Sequence, residues 1–403
     1  MSLPLEGIRV LDWTIWQQGP VCTAMLADMG ADVIKIEQTG VGDPGRYLVA
    51  VGGAETQRAN WYFESHNRNK RGITLDFAKP EGREVLYELA KHSDVFVQNF
   101  RKGVAARLGL DYATLRSHNP KLIYASATGY GPLGAESGEP SFDHLGLARS
   151  GIMLAAGEPD MPPLGIAGGI ADQMGGAMLA YGVMTALFAR ERSGLGQEVN
   201  GSHLGSMLFL QGLSVSMKLM AGVAMPRTFR ARAFNPLWNH YRCADGKWIA
   251  FAMLQSDRYW PDFARAIGRP QLAADARFEN LRARAANAAE CVALIDAAFA
   301  AKPRDEWIRI LNQDPGDYIF TIVNSVDELP SDPQVLANDY VVTLDHPQHG
   351  PTPMVGVPVQ LSETPGSVRT PAPELGQHTE EILMDVLGWD WDRISALREK
   401  KVI

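Results

Sequence analysis

Short apolar or β-branched runs alternate with amphipathic stretches from the start of the chain. Ile8 to Leu11 and Val33 to Ile36 read as strands, with Val21 to Met29 as a helix between them. The alternation continues through Gly82 to Lys91 (helix), Val95 to Val97 (strand), Val104 to Arg116 (helix) and Leu122 to Ala125 (strand). Strands separated by helices at this spacing predict a parallel sheet with crossover helices, an α/β fold. A long apolar helix is predicted from about Asp172 to Arg192, ending at Ser193-Gly194, where glycine suits the position past a helix C-terminus. Around Ala221 to Phe234 periodicity is lost and Pro226, Arg227, Arg230 and Arg232 gather, which marks a domain crossing. Beyond it, Tyr241 to Met253 reads as two strands joined across Ala244-Asp245-Gly246-Lys247, since Asp-Gly favours a hairpin. Helical patterns over Asp257 to Ile267 and Ala288 to Ala301 make this a smaller α+β unit. After Asp332 the chain is rich in strand and proline signals, then closes with helices near Glu380 to Leu387 and Trp391 to Glu399.

Charge narrows the choice of partner. The 403 residues carry 46 acidic against 38 basic side chains, a formal net charge of -8, which disfavours nucleic acid and leaves any bound phosphate to a local arginine cluster or a helix N-terminus. Cys22, Cys243 and Cys291 have no C-x-x-C spacing, so neither a disulfide framework nor a zinc knuckle is expected, and a reducing, cytoplasmic setting fits. The first ten residues lack a charged-then-apolar signal pattern. The longest apolar run, Met174 to Ala189, contains Thr185 and falls short of a membrane span, so no membrane partner is expected.

Three motifs mislead. Gly40-Val41-Gly42-Asp43-Pro44-Gly45 is a literal G-x-G-x-x-G, but it follows the second strand rather than the first and contains Pro44, whereas dinucleotide binding needs the first strand to feed a helix directly. Gly201-Ser202-His203-Leu204-Gly205 resembles a nucleophile elbow, yet the position two before Ser202 is Asn200. His346 and His349 flank Pro347-Gln348 with no cysteine or carboxylate cluster, so a solvated loop is expected there and no metal site.

The informative segment is Gly165-Ile166-Ala167-Gly168-Gly169-Ile170-Ala171-Asp172-Gln173-Met174-Gly175-Gly176, a single carboxylate at the start of the long helix. Its glycines would let substrate approach, and first-turn N–H groups favour developing negative charge. Aspartate is also among the commonest N-caps, so the pattern alone leaves cap and catalyst both open.

The chain resembles the class III CoA-transferases, the group of formyl-CoA and carnitine CoA-transferases, almost from end to end. The likeness begins with Pro4-Leu5-Glu6-Gly7-Ile8-Arg9-Val10-Leu11-Asp12 and Gly19-Pro20, and runs through Leu26-Ala27-Asp28-Met29-Gly30-Ala31-Asp32-Val33-Ile34-Lys35-Ile36-Glu37 and Asn69-Lys70-Arg71. Gln98-Asn99-Phe100-Arg101, Arg107-Leu108-Gly109-Leu110, the passage from Arg190 to Val199, and Gly376-Gln377-His378-Thr379 complete it. The resemblance implies that Asp172 is the nucleophile and that Gln17 and Asp143 lie beside the reacting acyl group. It further implies that Leu75, Asp76, Phe77, Ala78, Asn99, Phe100, Arg101 and Arg107 contact coenzyme A. The substrates would be an acyl-CoA and a carboxylic acid, with no tightly bound cofactor and no metal. An aspartate ionised at neutral pH needs no general base to attack a thioester.

The same resemblance implies a Rossmann-like large domain, formed by residues 1-225 and the returning segment 331-403. A small domain would span 226-330, and two chains would interlock as a homodimer. Trp238, Tyr241 and Trp260 of the small domain are candidates to shape the acyl pocket. An arginine found in some formyl-CoA transferases is Gln38 here, a lysine falls at about Pro140, and their glycine-run loop is not evident between Ser216 and Asp257, which leaves the acyl group open. A related branch racemises acyl-CoA esters with a histidine and aspartate pair. The histidine's position, just before Asp143, is Phe142, and His144 is two places away. Racemisation and a non-catalytic CoA-binding protein are the alternatives to transfer.

Overall fold

The apolar runs of the N-terminal half become the strands of one parallel sheet. In the computed structural model, which describes residues 2–48, 50, 51, 54, 55 and 60–403, they are β1 (Arg9–Trp13), β2 (Asp32–Glu37), β3 (Lys70–Thr74), β4 (Val95–Gln98), β5 (Ile123–Thr128) and β6 (Glu198–Ser202). Their order across the sheet is β3-β2-β1-β4-β5-β6, every neighbouring pair being parallel. Val10, Val33, Val95, Val97 and Ile123 point into one core with Cys22, Leu26, Leu179 and Val183. Leu11, Ile34, Phe96 and Tyr124 point into another with Leu86, Leu89, Ile382 and Leu383. Successive strand residues face opposite sides, so unbroken apolar runs suit a sheet covered on both faces. The expected α/β class holds.

The chain winds outward from β1 to β2 and β3, then returns to β4 on the other side of β1. Such a reversal opens a crevice at the C-terminal ends of the central strands, where ligands of parallel sheets bind. The helices of this part of the chain are α1 (Gln18–Asp28), α2 (Trp61–Asn67), α3 (Pro80–Lys91), α4 (Tyr112–His118), α5 (Asp143–Ser150), α6 (Ile170–Ser193), α7 (His203–Leu210) and α8 (Gly212–Ala221). Gly194, with φ 71°, ends α6 where the sequence placed its stop.

Two local readings change. The helix expected from Val104 to Arg116 is a single turn, Val104–Arg107, followed by α4. The break falls at Gly109, whose positive φ of 71° suits glycine and whose carbonyl accepts a bond from Tyr87 Oη at 3.0 Å. Strand β3 was not foreseen, because it opens on Lys70 and Arg71. Lys70 is nevertheless buried, with Nζ 2.8 Å from Asp12 Oδ2.

The larger of two compact units takes in the chain up to Met153, Gly165–Ala224 and Gln334–Ile403; the smaller is Leu154–Leu164 with Met225–Pro333. The C-terminal helices α12 (Thr379–Leu387) and α13 (Trp391–Glu399) supply Ile382, Leu383 and Ile394 to the large unit's core, and Gly72 N–H donates to His378 Nδ1 at 3.1 Å. In the smaller unit, strands β7 (Trp238–Arg242), β8 (Trp248–Ala252) and β9 (Phe320–Val323) pair antiparallel in the order β9-β8-β7. The hairpin turns at Gly246, φ 82°. Helices α9 (Ser256–Ala266), α10 (Ala288–Phe299) and α11 (Arg304–Gln313) cover the sheet's core. Tyr241 and Trp260 lie in that core, fully buried, while Trp238 is exposed.

Candidate active site

Asp172 is the third residue of α6, and the cap position belongs to Gly169, with φ 66°. Its positive φ suits glycine, and a Cβ there would displace the Gln17 amide packed against it. The capping role the sequence allowed for Asp172 is taken by Asp143 instead. From the first turn of α5, Asp143 Oδ1 accepts from Ala171 N–H at 2.6 Å and from Asp172 N–H at 3.2 Å. The Gln173 N–H is bonded to Gly169 O at 2.8 Å. These first-turn amides, expected to meet a substrate oxyanion, are therefore occupied.

The Asp172 side chain is free of capping and turns to His203, whose Nε2 lies 2.8 Å from Oδ1. His203 Nδ1 is 3.1 Å from Ser141 Oγ. A carboxylate only accepts, so Nε2 carries the proton between His203 and Asp172, and Nδ1 shares the second bond with the Ser141 hydroxyl. Both ring nitrogens are thus fixed by partners from different elements.

This pair borders a cavity of about 410 Å³ at the C-terminal edge of the sheet. Among its lining, Ile15 and Trp16 lie beyond β1, Asn99 to Lys102 beyond β4, Ala127 to Gly129 at the end of β5, and Ser141, Phe142 and His203 border it with Asp172. It occupies the crevice that the strand order opens. Of the residues singled out in the sequence, Asp172, Asn99, Phe100 and Arg101 border it. Gln17 and Asp143 touch the turn that presents Asp172; the Gln17 amide lies 3.5 Å from Gly169 O.

The others lie elsewhere. Leu75 and Phe77 are buried, and Asp76 accepts from Ala78 N–H at 3.0 Å and from the Gln38 amide at 3.2 Å. Phe77 meets Trp13 edge-on at 5.5 Å, and Trp13 stacks on Phe100 at 4.1 Å, so this stretch supports the cavity wall from behind. Asn99 has both amide atoms engaged, accepting from Ile15 N–H at 2.9 Å and donating to Ile15 O at 2.6 Å. It pins the loop after β1 and has little left for a ligand. The exposed guanidinium groups of Arg101 and Arg107, by contrast, make no hydrogen bond or ion pair among the described residues.

Beneath the loop carrying Trp16 and Gln17 lies a buried charge network. Lys35 Nζ is 2.9 Å from Asp43 Oδ2, and Asp43 Oδ1 accepts from Trp16 N–H at 3.1 Å and from Gly45 N–H at 2.8 Å. The G-x-G-x-x-G segment therefore serves to bury a carboxylate that clamps this loop. Burial drives the Lys70 ammonium down to about 8 in spite of its Asp12 partner. Gly175 and Gly176 are also accounted for within the protein: they face Gln18 and Val21 of α1, letting α1 and α6 approach closely. His346, expected in a solvated loop, is buried at the end of a two-stranded ribbon, Val341–His346 with Gly350–Val355, its Nε2 3.5 Å from Glu64 Oε1.

His203 was missed as a site residue. The available signal was an imidazole directly after a strand of the parallel sheet, at the edge where such sheets place their sites. No group of three or more potential metal ligands occurs among the described residues.

Comparison with known proteins identifies the family. A family model for CoA-transferase family III matches residues 5–379, and the chain belongs to that family. It is similar to (R)-2-hydroxy-4-methylpentanoate CoA-transferase of Clostridioides difficile, 30% identical over 99% of both chains. It is also similar to succinyl-CoA--D-citramalate CoA-transferase of Chloroflexus aurantiacus, 34% identical over 99% of this chain and 98% of that one. A crystal structure of a CaiB/BaiF family protein from Brucella suis superposes with a TM-score of 0.85 at 29% identity, covering 96% of this chain and all of the other. The protein is a family III CoA-transferase.

Proposed function

We propose that this enzyme moves coenzyme A from an acyl-CoA thioester to a carboxylic acid through covalent intermediates on Asp172. The observation that carries the reading is the Asp172 carboxylate at the wall of a 410 Å³ cavity, with the unpartnered Arg101 guanidinium on the same cavity. The carboxylate attacks the thioester carbonyl, giving an aspartyl acyl anhydride and CoA thiolate. The thiolate attacks the aspartyl carbonyl, releasing the first acid and leaving an aspartyl-CoA thioester. The acceptor carboxylate attacks this thioester and frees the thiolate again. Attack of the thiolate on the new acyl carbonyl restores Asp172 and yields the product thioester. Both intermediates hydrolyse readily, so a recessed site favours transfer over loss to water.

Arg101 and Arg107 suit the phosphates of coenzyme A, since guanidinium groups offer paired donors at fixed geometry. Coenzyme A binding belongs in this reading to the larger unit, residues 1-225 with the returning segment 331-403. Family names among the relatives point to hydroxy-carboxylic acids as acceptors worth testing first. We also assign the protein to the cytoplasm as a homodimer. No single helix among the described residues is long and apolar enough to cross a membrane, although α7 and α8, bent by 79°, pass that test as a pair by length and composition. Their exposed Phe209, Leu213, Leu219 and Met220 would serve a second copy of the chain, which sedimentation velocity checks directly.

Racemisation needs two bases on opposite faces of an α-carbon. The histidine beside Asp172 is instead in direct contact with it, and Phe142 stands where the racemase base would be. The deciding experiment is an intact-protein mass spectrum after mixing with a panel of acyl-CoA donors, run beside Asp172→Ala. The transferase reading expects an acyl or CoA adduct in the parent and none in the variant. Absence of any adduct, with solvent deuterium entering the acyl α-carbon, would establish racemisation.

A further inference from the structure

The transfer chemistry places negative charge on the aspartyl carbonyl oxygen each time the thiolate adds to Cγ or leaves it, and that oxygen needs a donor. The amides of Ala171, Asp172 and Gln173 are already bonded to Asp143 and Gly169. The remaining donor in contact with the carboxylate is His203 Nε2, 2.8 Å from Oδ1, on a ring whose side chain is 4% exposed.

We propose that His203 fixes which oxygen of Asp172 attacks and then serves as the oxyanion donor for the aspartyl carbonyl. Oδ1 is held by Nε2–H, so Oδ2 forms the bond to the substrate acyl carbon. Oδ1 then becomes the carbonyl oxygen of the anhydride. When the thiolate adds to Cγ, the C=O electron pair moves onto Oδ1, against the His203 proton. Collapse returns it as the bond from Cγ to Oδ2 breaks and the first acid leaves. The acceptor carboxylate then repeats the addition and collapse on the aspartyl thioester. No proton changes hands: Nε2 donates to Oδ1 throughout, and the contact of Nδ1 with Ser141 Oγ at 3.1 Å holds the ring in place.

The inference rests on the Asp172 reading and adds an asymmetry to it. During the first attack, charge drains from Oδ1, so the bond from His203 weakens. During the later additions Oδ1 gains full charge, so the same bond strengthens. Only interactions stronger in the transition state than in the ground state accelerate a step. His203 should therefore matter for resolving the anhydride, not for forming it.

The test is quenched-flow mass spectrometry of the full-length enzyme with an acyl-CoA donor found for the parent. Parent, His203→Leu, His203→Asn and His203→Gln are compared, and near-UV circular dichroism checks that each is folded. Gln places an amide N–H near the Nε2 position, whereas Asn places it near Nδ1, short of Asp172. In Leu and Asn the acyl adduct should form no more slowly than in the parent and accumulate, with its conversion to the CoA adduct slowed about a hundredfold. Gln should recover most of that rate. Parent-like partitioning between the two adducts in Leu and Asn would overturn the inference while leaving the Asp172 mechanism intact. Equal slowing of both steps would do the same, as would an Asn variant as fast as Gln. No adduct in the parent with any donor would instead sink the Asp172 mechanism itself, and this inference with it.

Discussion

At the scale of single residues, the site separates groups that hold the protein together from groups left for a ligand. Asn99 and Arg101 are two positions apart in one family motif, yet the Asn99 amide is engaged with Ile15 while the Arg101 guanidinium is unpartnered. Replacing Arg101 with alanine should thus raise KM for the CoA thioester about tenfold with kcat nearly unchanged, the signature of binding lost equally from ground and transition states. Steady-state kinetics at several donor concentrations check this; a fall in kcat at constant KM would move Arg101 into the chemical step. His66 marks the opposite case. Burial, together with the nearby Lys70 and Arg68 charges, pushes its imidazole from 6.5 to about 4. The unfolded chain then takes up the proton first as pH falls. Stability contributed by the neutral ring is present above pH 6.5 and lost progressively as the pH approaches 4, by up to about 3 kcal/mol. Urea unfolding at pH 7 and pH 4.5 should show a smaller acid loss in His66→Gln than in the parent. Equal losses would place the acid sensitivity in other groups.

At the scale of elements, α6 presents Asp172 because another helix caps it. Asp143 binds two of its first amides and puts a negative charge against the positive end of a 24-residue helix. Asp143→Ala should cost about 1–2 kcal/mol in urea unfolding and lower kcat by misplacing Asp172, and Asp143→Asn, whose amide oxygen still accepts, should cost less. Equal stability for all three proteins would show that Asp143 acts on something other than the helix end. This cap was hidden in the sequence because Asp143 lies 29 residues before the helix residue it serves. What the sequence did disclose follows the same logic. Strands β1, β2, β4 and β5 were legible because both faces are buried and the runs are apolar, and α6 was legible from its length and its glycine stop. Strand β3 was not, because burying Lys70 against Asp12 is a tertiary decision. Asp172 stood out from its glycine-flanked position and from the family resemblance, while His203 is a lone histidine whose meaning exists only once β6 sets it beside α6.

At the scale of the whole molecule, the large unit is completed by chain ends far apart in sequence. The last 70 residues from Gln334 return to the unit that begins the chain. Their contribution is structural in a specific way: Ile382, Leu383 and Ile394 are buried in the core that also contains Leu11, Ile34 and Phe96 of the central strands. Val402 O also accepts from Asp76 N–H at 2.8 Å, closing the stretch after β3. Fully burying a side chain of this size is worth about 1.5–3 kcal/mol, so removing three at once subtracts an amount comparable to the net stability of a typical domain. A chain ending at Gln377 should therefore fail to fold the large unit, although every residue lining the cavity is still present. Circular dichroism melting and acyl-CoA adduct formation on the truncated protein test this together. Loss of both the cooperative transition and the adduct is expected. A truncated protein that melts cooperatively and still forms the adduct would show that the N-terminal segments carry the core without the returning helices.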